Sequence, residues 1–173
     1  MKTLAPLTSA LLLTAALLAG CGKDQDKDAA PGDGTVTWTN NGKTYSSTTY
    51  SSAIVDGADK LIITGAPADQ SNNVSLTLVG LSSRGPGVYE LKRGSVLDNH
   101  SVAGILVGGS AGQQFVTLYA PTAVNGSVTV TRYDRAAQQL EGTFSYTAGA
   151  LPNSGASGTQ TVTNGSFSFS RLR

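Results

Sequence analysis

From Thr35 onward, apolar and polar residues alternate with a period of two, and no apolar stripe of helical spacing outlasts one turn. Val36 and Trp38 alternate with Thr35, Thr37 and Thr39, after which Asn40-Asn41-Gly42 supplies residues that tolerate positive φ and predicts a hairpin. Tyr45 to Val55 reads as one long Ser/Thr-rich strand ended by Asp56-Gly57, and Leu61 to Thr64 as a compact apolar strand closed by Gly65-Ala66-Pro67. Val74, Leu76 and Leu78 alternate with Ser75 and Thr77, and Val88 to Leu91 follows Gly85-Pro86-Gly87. Val102 to Val107 is apolar, though Gly104 interrupts it and weakens the prediction of a strand. Phe115 to Tyr119 follows the Gly108-Gly109 loop. After an Asn125-Gly126 turn, Val128, Val130 and Arg132 share a face opposite Thr129, Thr131 and Tyr133. Leu140, Gly142, Phe144 and Tyr146 form the next inward face. Beyond the small-residue loop Ala150 to Gly158, the last strand lies near Gln160 to Ser170 and turns Phe167 and Phe169 away from Ser166, Ser168 and Ser170. About ten short strands with tight turns predict an all-β fold, either an antiparallel β-sandwich or a closed or partly open meander barrel. Trp38, Leu76, Leu78, Phe144 and Phe167 fall on the side expected to be buried.

Composition sharpens this picture. Gly, Ser and Thr occupy 60 of the 173 positions, while charged residues make up 13%, about half the usual share. Hydroxyl residues on one face of a strand keep it wettable without charge. A formal net charge of +1 provides no field to attract a polyanion, so nucleic acid is excluded as an expected partner. The single Cys rules out an internal disulfide, and the single His rules out a histidine-cluster metal site, so no metal or cofactor is expected. The strands lack the aromatic girdles and lipid-facing bands of a transmembrane barrel.

The N-terminus carries the most specific signal. Lys2 precedes the nine-residue apolar run Ala10 to Leu18, too short for a membrane span of about 20 residues. Leu18-Ala19-Gly20-Cys21 follows directly and resembles the bacterial lipoprotein signal. That resemblance implies that the Cys21 sulfur receives a diacylglycerol, that the chain is cut between Gly20 and Cys21, and that the new amino group is acylated. Two or three acyl chains hold a protein to a membrane stably, whereas one does so only marginally. Gly22 to Gly34 (GKDQDKDAAPGDG) contains no large apolar residue and is expected to be a flexible tether. Asp24, Asp26 and Asp28 have the opening spacing of a calcium loop, but Ala29 replaces its turn glycine and Thr35 its bidentate glutamate. The expected organisation is a signal peptide over 1–20, a tether over 21–34 and one β domain over 35–173. Gly22 after the Cys departs from the inner-membrane retention signal of enterobacterial lipoproteins. Lys23 to Asp28 is similar to the acidic export signal of Bacteroidota lipoproteins, although its acids alternate with other residues. Outer-membrane placement is expected, with the side facing the cell exterior or the periplasm left open.

Candidate chemistry is sparse. Asp98-Asn99-His100-Ser101 contains the residue types of a catalytic triad, but sequence adjacency is not triad geometry, and these residues also favour polar turns. Glu90 and Glu141 are the two glutamates and would have to converge to work as a glycosidase acid and base; each lies among apolar strand neighbours, where an outward solvated position is the simpler explanation. Gly104, Gly108, Gly109 and Gly112 precede no Lys-Ser/Thr pair and make no phosphate loop. Arg132-Tyr133-Asp134-Arg135 reads as a solvated hairpin tip. Exposed tyrosines on a rigid sheet could stack on sugar rings or dock a partner, though core and cross-strand packing account for most aromatics in such folds.

Gly87-Val88-Tyr89-Glu90-Leu91, Tyr133-Asp134 with Leu140 to Ala148, and Val162-Thr163-Asn164-Gly165-Ser166-Phe167 together resemble a family of Bacteroidota lipoproteins designated domain of unknown function 6252. The resemblance spans about Thr35 to Phe169 and implies a closing β-hairpin, with no activity and no catalytic residue to carry over. The expectation is a lipid-anchored, non-enzymatic binding or structural module of the cell envelope. Its partners would be the membrane, through Cys21, and an envelope polymer, a protein or a small apolar ligand. The alternatives are a lipocalin-like carrier and a secreted hydrolase.

Overall fold

In the computed structural model, residues 32–173 are described, with the exception of 58, 96, 110 and 111. The alternating segments form eleven antiparallel strands in one curled sheet, a half-barrel. They are β1 (Gly34–Asn40), β2 (Lys43–Ser47), β3 (Ser52–Asp56), β4 (Lys60–Gly65), β5 (Asn72–Val79), β6 (Gly87–Lys92), β7 (Val102–Val107), β8 (Gln113–Val116), β9 (Val124–Asp134), β10 (Gln139–Ala150) and β11 (Thr159–Phe169). A single helical turn, α1 (Leu81–Arg84), joins β5 to β6, and a 3-10 turn covers Thr117–Tyr119. The order is β2-β1-β11-β10-β8-β7-β5-β4-β3.

The long strand β10 is where the sheet forks. It pairs with β11 along one edge; along the other it pairs with β9 from Gln139 to Tyr146 and with β8 only at Gly149 and Ala150. The arm through β9 ends in β6, while the arm through β8 continues to β3. Inward side chains from both arms form one apolar cluster, and all five residues expected in the core are within it. On β10 and β11 the register is reciprocal: Gly142 faces Phe167 and Gly165 faces Phe144, so each ring lies over the opposing glycine. The two rings stack at 6.4 Å, and the bare backbone beneath them is shielded by aromatic surface.

The Asn41-Gly42 turn forms as expected, with φ of 49° and 75°. Four expectations change. The segment Tyr45 to Val55 is two strands at opposite ends of the sheet order, because residues 48–51 turn their hydrogen bonds to the chain entering β1: Gly32 N–H donates to Thr48 O, Asp33 N–H donates to Ser51 O, and the Ser51 hydroxyl bonds Gly34 O. Hydroxyl side chains that compete locally for the backbone divert a strand in this way. Asp33 and Gly34, read as the end of the tether, therefore belong to the fold. Asn125-Gly126 lies inside β9 and is not a turn. Farther along β9 a bulge at Thr131, between the partners of Glu141 and Gly142, reverses the alternation, so Arg132 points to solvent and Tyr133 packs against the core.

Residues 170–173, beyond β11, join the edge strand β3 to the chain entering β1. Ser170 N–H bonds Asp33 O, Val55 N–H bonds Arg173 O at 2.7 Å, and Arg173 N–H bonds Ala53 O at 2.9 Å. Nearby, β4 crosses close to β1: a Cβ on Gly65 would lie 2.9 Å from Val36 Cβ, so only glycine permits this approach.

Candidate functional site

Between β6 and β7, the described residues Ser95 and Leu97 to His100 lie beside the outward positions Thr77, Val79 and Val102 of the sheet. The shape of this loop follows from Ser and Asp side chains bonding nearby backbone: Ser95 N–H donates to Asp98 Oδ2 at 2.6 Å, Leu97 N–H donates to Ser95 Oγ, and His100 N–H donates to Asp98 O. The loop base is held by Arg93 N–H to Ala123 O and Gly94 N–H to Leu118 O. The imidazole of His100 packs on Gly94, where a Cβ would come within 2.7 Å of Cε1, and its Nε2 is buried without a hydrogen-bond partner. Leu97, 90% exposed, projects from the loop.

Two adjoining grooves share Val79, Asn99 and His100 as a common wall. The larger, about 560 Å³, is floored by Thr77, Val79, Val102, Val116 and Leu118 and rimmed by Lys60 and Asp98. The smaller, about 330 Å³, carries Arg84, Val88, Glu90 and Lys92. Arg84 stacks 4.4 Å over the Tyr89 ring and donates to Val88 O, while Tyr89 donates its hydroxyl proton to Gly85 O. Burial pushes the Tyr89 hydroxyl above its usual range, and the Arg84 charge opposes that shift.

The structure brings His100 and Glu90 to one groove and leaves Glu141 elsewhere. Glu90 is opposite Ser127, Ser127 is opposite Ser145, and Glu141 lies four residues farther along β10. Two strand spacings and four residues separate the two backbone positions by ~16 Å, whereas glycoside hydrolysis requires carboxyls ~5–9.5 Å apart. Glu90 pairs with Lys92 at 3.3 Å and Glu141 with Arg132 at 3.8 Å, and all four side chains are about half exposed. The Asp-His-Ser cluster is likewise dispersed in role: Asp98 accepts from Ser95, and the buried Ser101 hydroxyl accepts from Val79 N–H at 3.1 Å. Gly108 and Gly109 have positive φ in the loop that leads from β7 to β8. Among the described residues, no group of three or more His, Cys, Asp or Glu side chains is placed to hold a metal ion. Gly20, Cys21, Asp24, Asp26 and Asp28 lie outside the described residues.

Of the six tyrosines, Tyr89 and Tyr146 are buried, Tyr45 stacks on Trp38 at 5.7 Å and Tyr133 packs against the core, leaving Tyr50 and Tyr119 as the exposed ones. Lys60, Arg84 and Lys92 escaped the sequence reading because they meet only through non-local pairing: β7 joins β5, and β6 leaves for β9. Comparison with family models, curated proteins and solved structures finds no match to this chain.

Proposed function

We propose that the protein is a bacterial lipoprotein anchored in the outer membrane through Cys21, and that its β domain is a binding module and not an enzyme. The observation that carries the anchor is Leu18-Ala19-Gly20-Cys21 directly after a nine-residue apolar run. The twelve residue steps from Cys21 to Asp33 would reach at most about 43 Å when extended, keeping the domain near the lipid surface. The binding reading is supported by the rigid hydroxyl-rich outer face and by carboxylates already engaged in ion pairs or turns.

The test of the anchor is Cys21→Ser in the native envelope. The wild type should partition into detergent and carry acyl mass on a chain beginning at Cys21, and the variant should accumulate uncut. A soluble wild-type product without acyl mass would overturn the reading. A hydrolase is the second reading, favoured by one observation: His100 and Glu90 line the same groove. Turnover of a polysaccharide, peptide or ester substrate that is abolished by His100→Ala and by Glu90→Gln would establish it in place of the module.

A further inference from the structure

We propose that the outer face of β4, β5, β7 and β8 binds a neutral saccharide in a groove built around Tyr50. The proposal deepens the binding-module reading and rests on it only for where the sugar is met. Strand register assembles the site. Thr64 faces Ser75, Ser75 faces Gly104, and Gly104 faces Val116; in a parallel row Asn73 faces Leu106 and Leu106 faces Gln114. Ala103 and Ile105 point into the core, so Gly104 and Leu106 point outward. Gly104 has no side chain to fill the middle of the four strands, and a Cβ there would meet only Phe115 O at 3.2 Å and Val116 Cγ2 at 3.8 Å. The result is a groove of about 340 Å³ with Tyr50, 43% exposed, among its lining residues. That volume is at the lower end of the ~300–1,000 Å³ typical of small-molecule sites.

The lining chemistry selects the ligand. No lining residue carries a formal charge, whereas the grooves beside His100 hold Lys60 and Asp98 or Arg84, Glu90 and Lys92. An ionic ligand would lose hydration here and gain no counter-charge. A pyranose offers an apolar C–H face, which a tyrosine ring covers, and a rim of hydroxyls that both donate and accept. Asn73 and Gln114 present amides, Thr64 and Ser75 hydroxyls, each able to match that rim. Asn73 Oδ1 has no hydrogen-bond partner in the fold. Leu106 supplies apolar surface beside them.

The experiment is calorimetric titration of the full chain, purified in detergent, with cellotetraose, maltotetraose and chitotetraose, with a galacturonic acid tetramer as the charged counterpart and tetra-alanine as the neutral peptide. At least one neutral saccharide should saturate with a Kd on the order of 1 mM or tighter, and the charged tetramer should not. Tyr50→Ala should weaken that binding about tenfold or more, Tyr50→Phe should retain it, and Gly104→Val should block it by filling the groove. Glu141→Gln should leave it unchanged. Tyr50→Phe and Gln114→Ala keep the test decisive if Gly104→Val fails to fold. Absence of saturable binding to all three saccharides, binding indifferent to both Tyr50→Ala and Gln114→Ala, or equal binding of tetra-alanine would overturn the proposal. Saccharide binding without acyl mass on Cys21 would overturn the lipoprotein reading alone, and acyl mass without saccharide binding would overturn the site alone.

Discussion

The two ends of β1 lie ~20 Å apart along the strand, and each joins distant parts of the sheet through buried polar side chains, by opposite physics. At the end near Asn40 the groups are neutral. Trp38 Nε1 donates to Asn72 Oδ1 at 2.7 Å, Asn72 Nδ2 donates to Asn40 Oδ1 at 3.1 Å, and Asn40 Nδ2 donates to Gln160 Oε1 and Thr161 O. This chain crosses from β1 to β5 and β11 with Trp38, Asn40 and Asn72 almost wholly buried. At the other end Asp33, 5% exposed, holds a charge against two half-exposed arginines. Arg173 Nη2 donates to Asp33 Oδ1 at 2.9 Å, its Nε approaches Oδ2 to 2.5 Å without an N–H aimed at it, and Arg171 stands at 3.8 Å. The carboxylate holds the Arg173 guanidinium above its already high usual value. The neutral chain is indifferent to salt and demands a complete set of partners; the ionic cluster tolerates solvent and is open to screening.

The largest effect is expected at the neutral end. Trp38→Ala removes a fully buried ring and the first donor of the chain, and should cost about 3–5 kcal/mol of unfolding free energy by denaturant titration. Asn72→Ala leaves the Trp38 N–H and the Asn40 Oδ1 without their partner, at about 1–3 kcal/mol for an orphaned buried group. Neither loss should change between low and about 1 M salt.

The ionic end should behave asymmetrically. Arg173→Ala leaves a buried carboxylate with only the more distant Arg171, whereas Asp33→Asn leaves two arginines that solvent can serve, so the arginine variant should have the lower melting temperature. High salt should narrow the gap between wild type and Arg173→Ala. A salt-independent gap would show that the backbone bonds of Arg173 to Ala53 and Val55, and not its charge, close the sheet.

The smallest effect concerns pH. Tyr146 is fully buried and donates to Gly104 O at 2.7 Å, so burial pushes its hydroxyl far above the usual range. The unfolded chain loses this proton near pH ~10 while the folded chain keeps it, so stability is complete below that pH and declines as pH rises through and beyond it. Tyr146→Phe should flatten the alkaline decline seen in thermal melts while costing about 0.5–1.5 kcal/mol at neutral pH for the lost hydrogen bond.

Much of this fold was legible along the chain. The alternation at Val36 and Trp38, at Val74 to Leu78, and at Phe144, Phe167 and Phe169 named the inward faces correctly. The Gly104 strand formed despite its weak signal, since neighbours on both sides supply the ladder. The break at 48–51 and the bulge in β9 were not legible, because each depends on what the segment meets: the chain at Gly32 and Asp33 in one case, the register against Glu141 and Gly142 in the other. The candidate site was legible only as residue types. His100 was visible as part of a polar turn and Glu90 as one of the two glutamates, but their sharing of a groove with Lys92 was not.

The sequence by itself determined the all-β class and the two faces of β1, β5, β10 and β11, because a period of two is a local property of backbone geometry. The tertiary structure alone decided the fork at β10, the pairing of β5 with β7, and the closure through Asp33 and residues 170–173. Those features join residues up to 140 positions apart. Antiparallel register can satisfy the same alternation with many neighbours, and the choice among them falls to side-chain packing, buried hydrogen bonds and close glycine contacts that exist only once the sheet has curled.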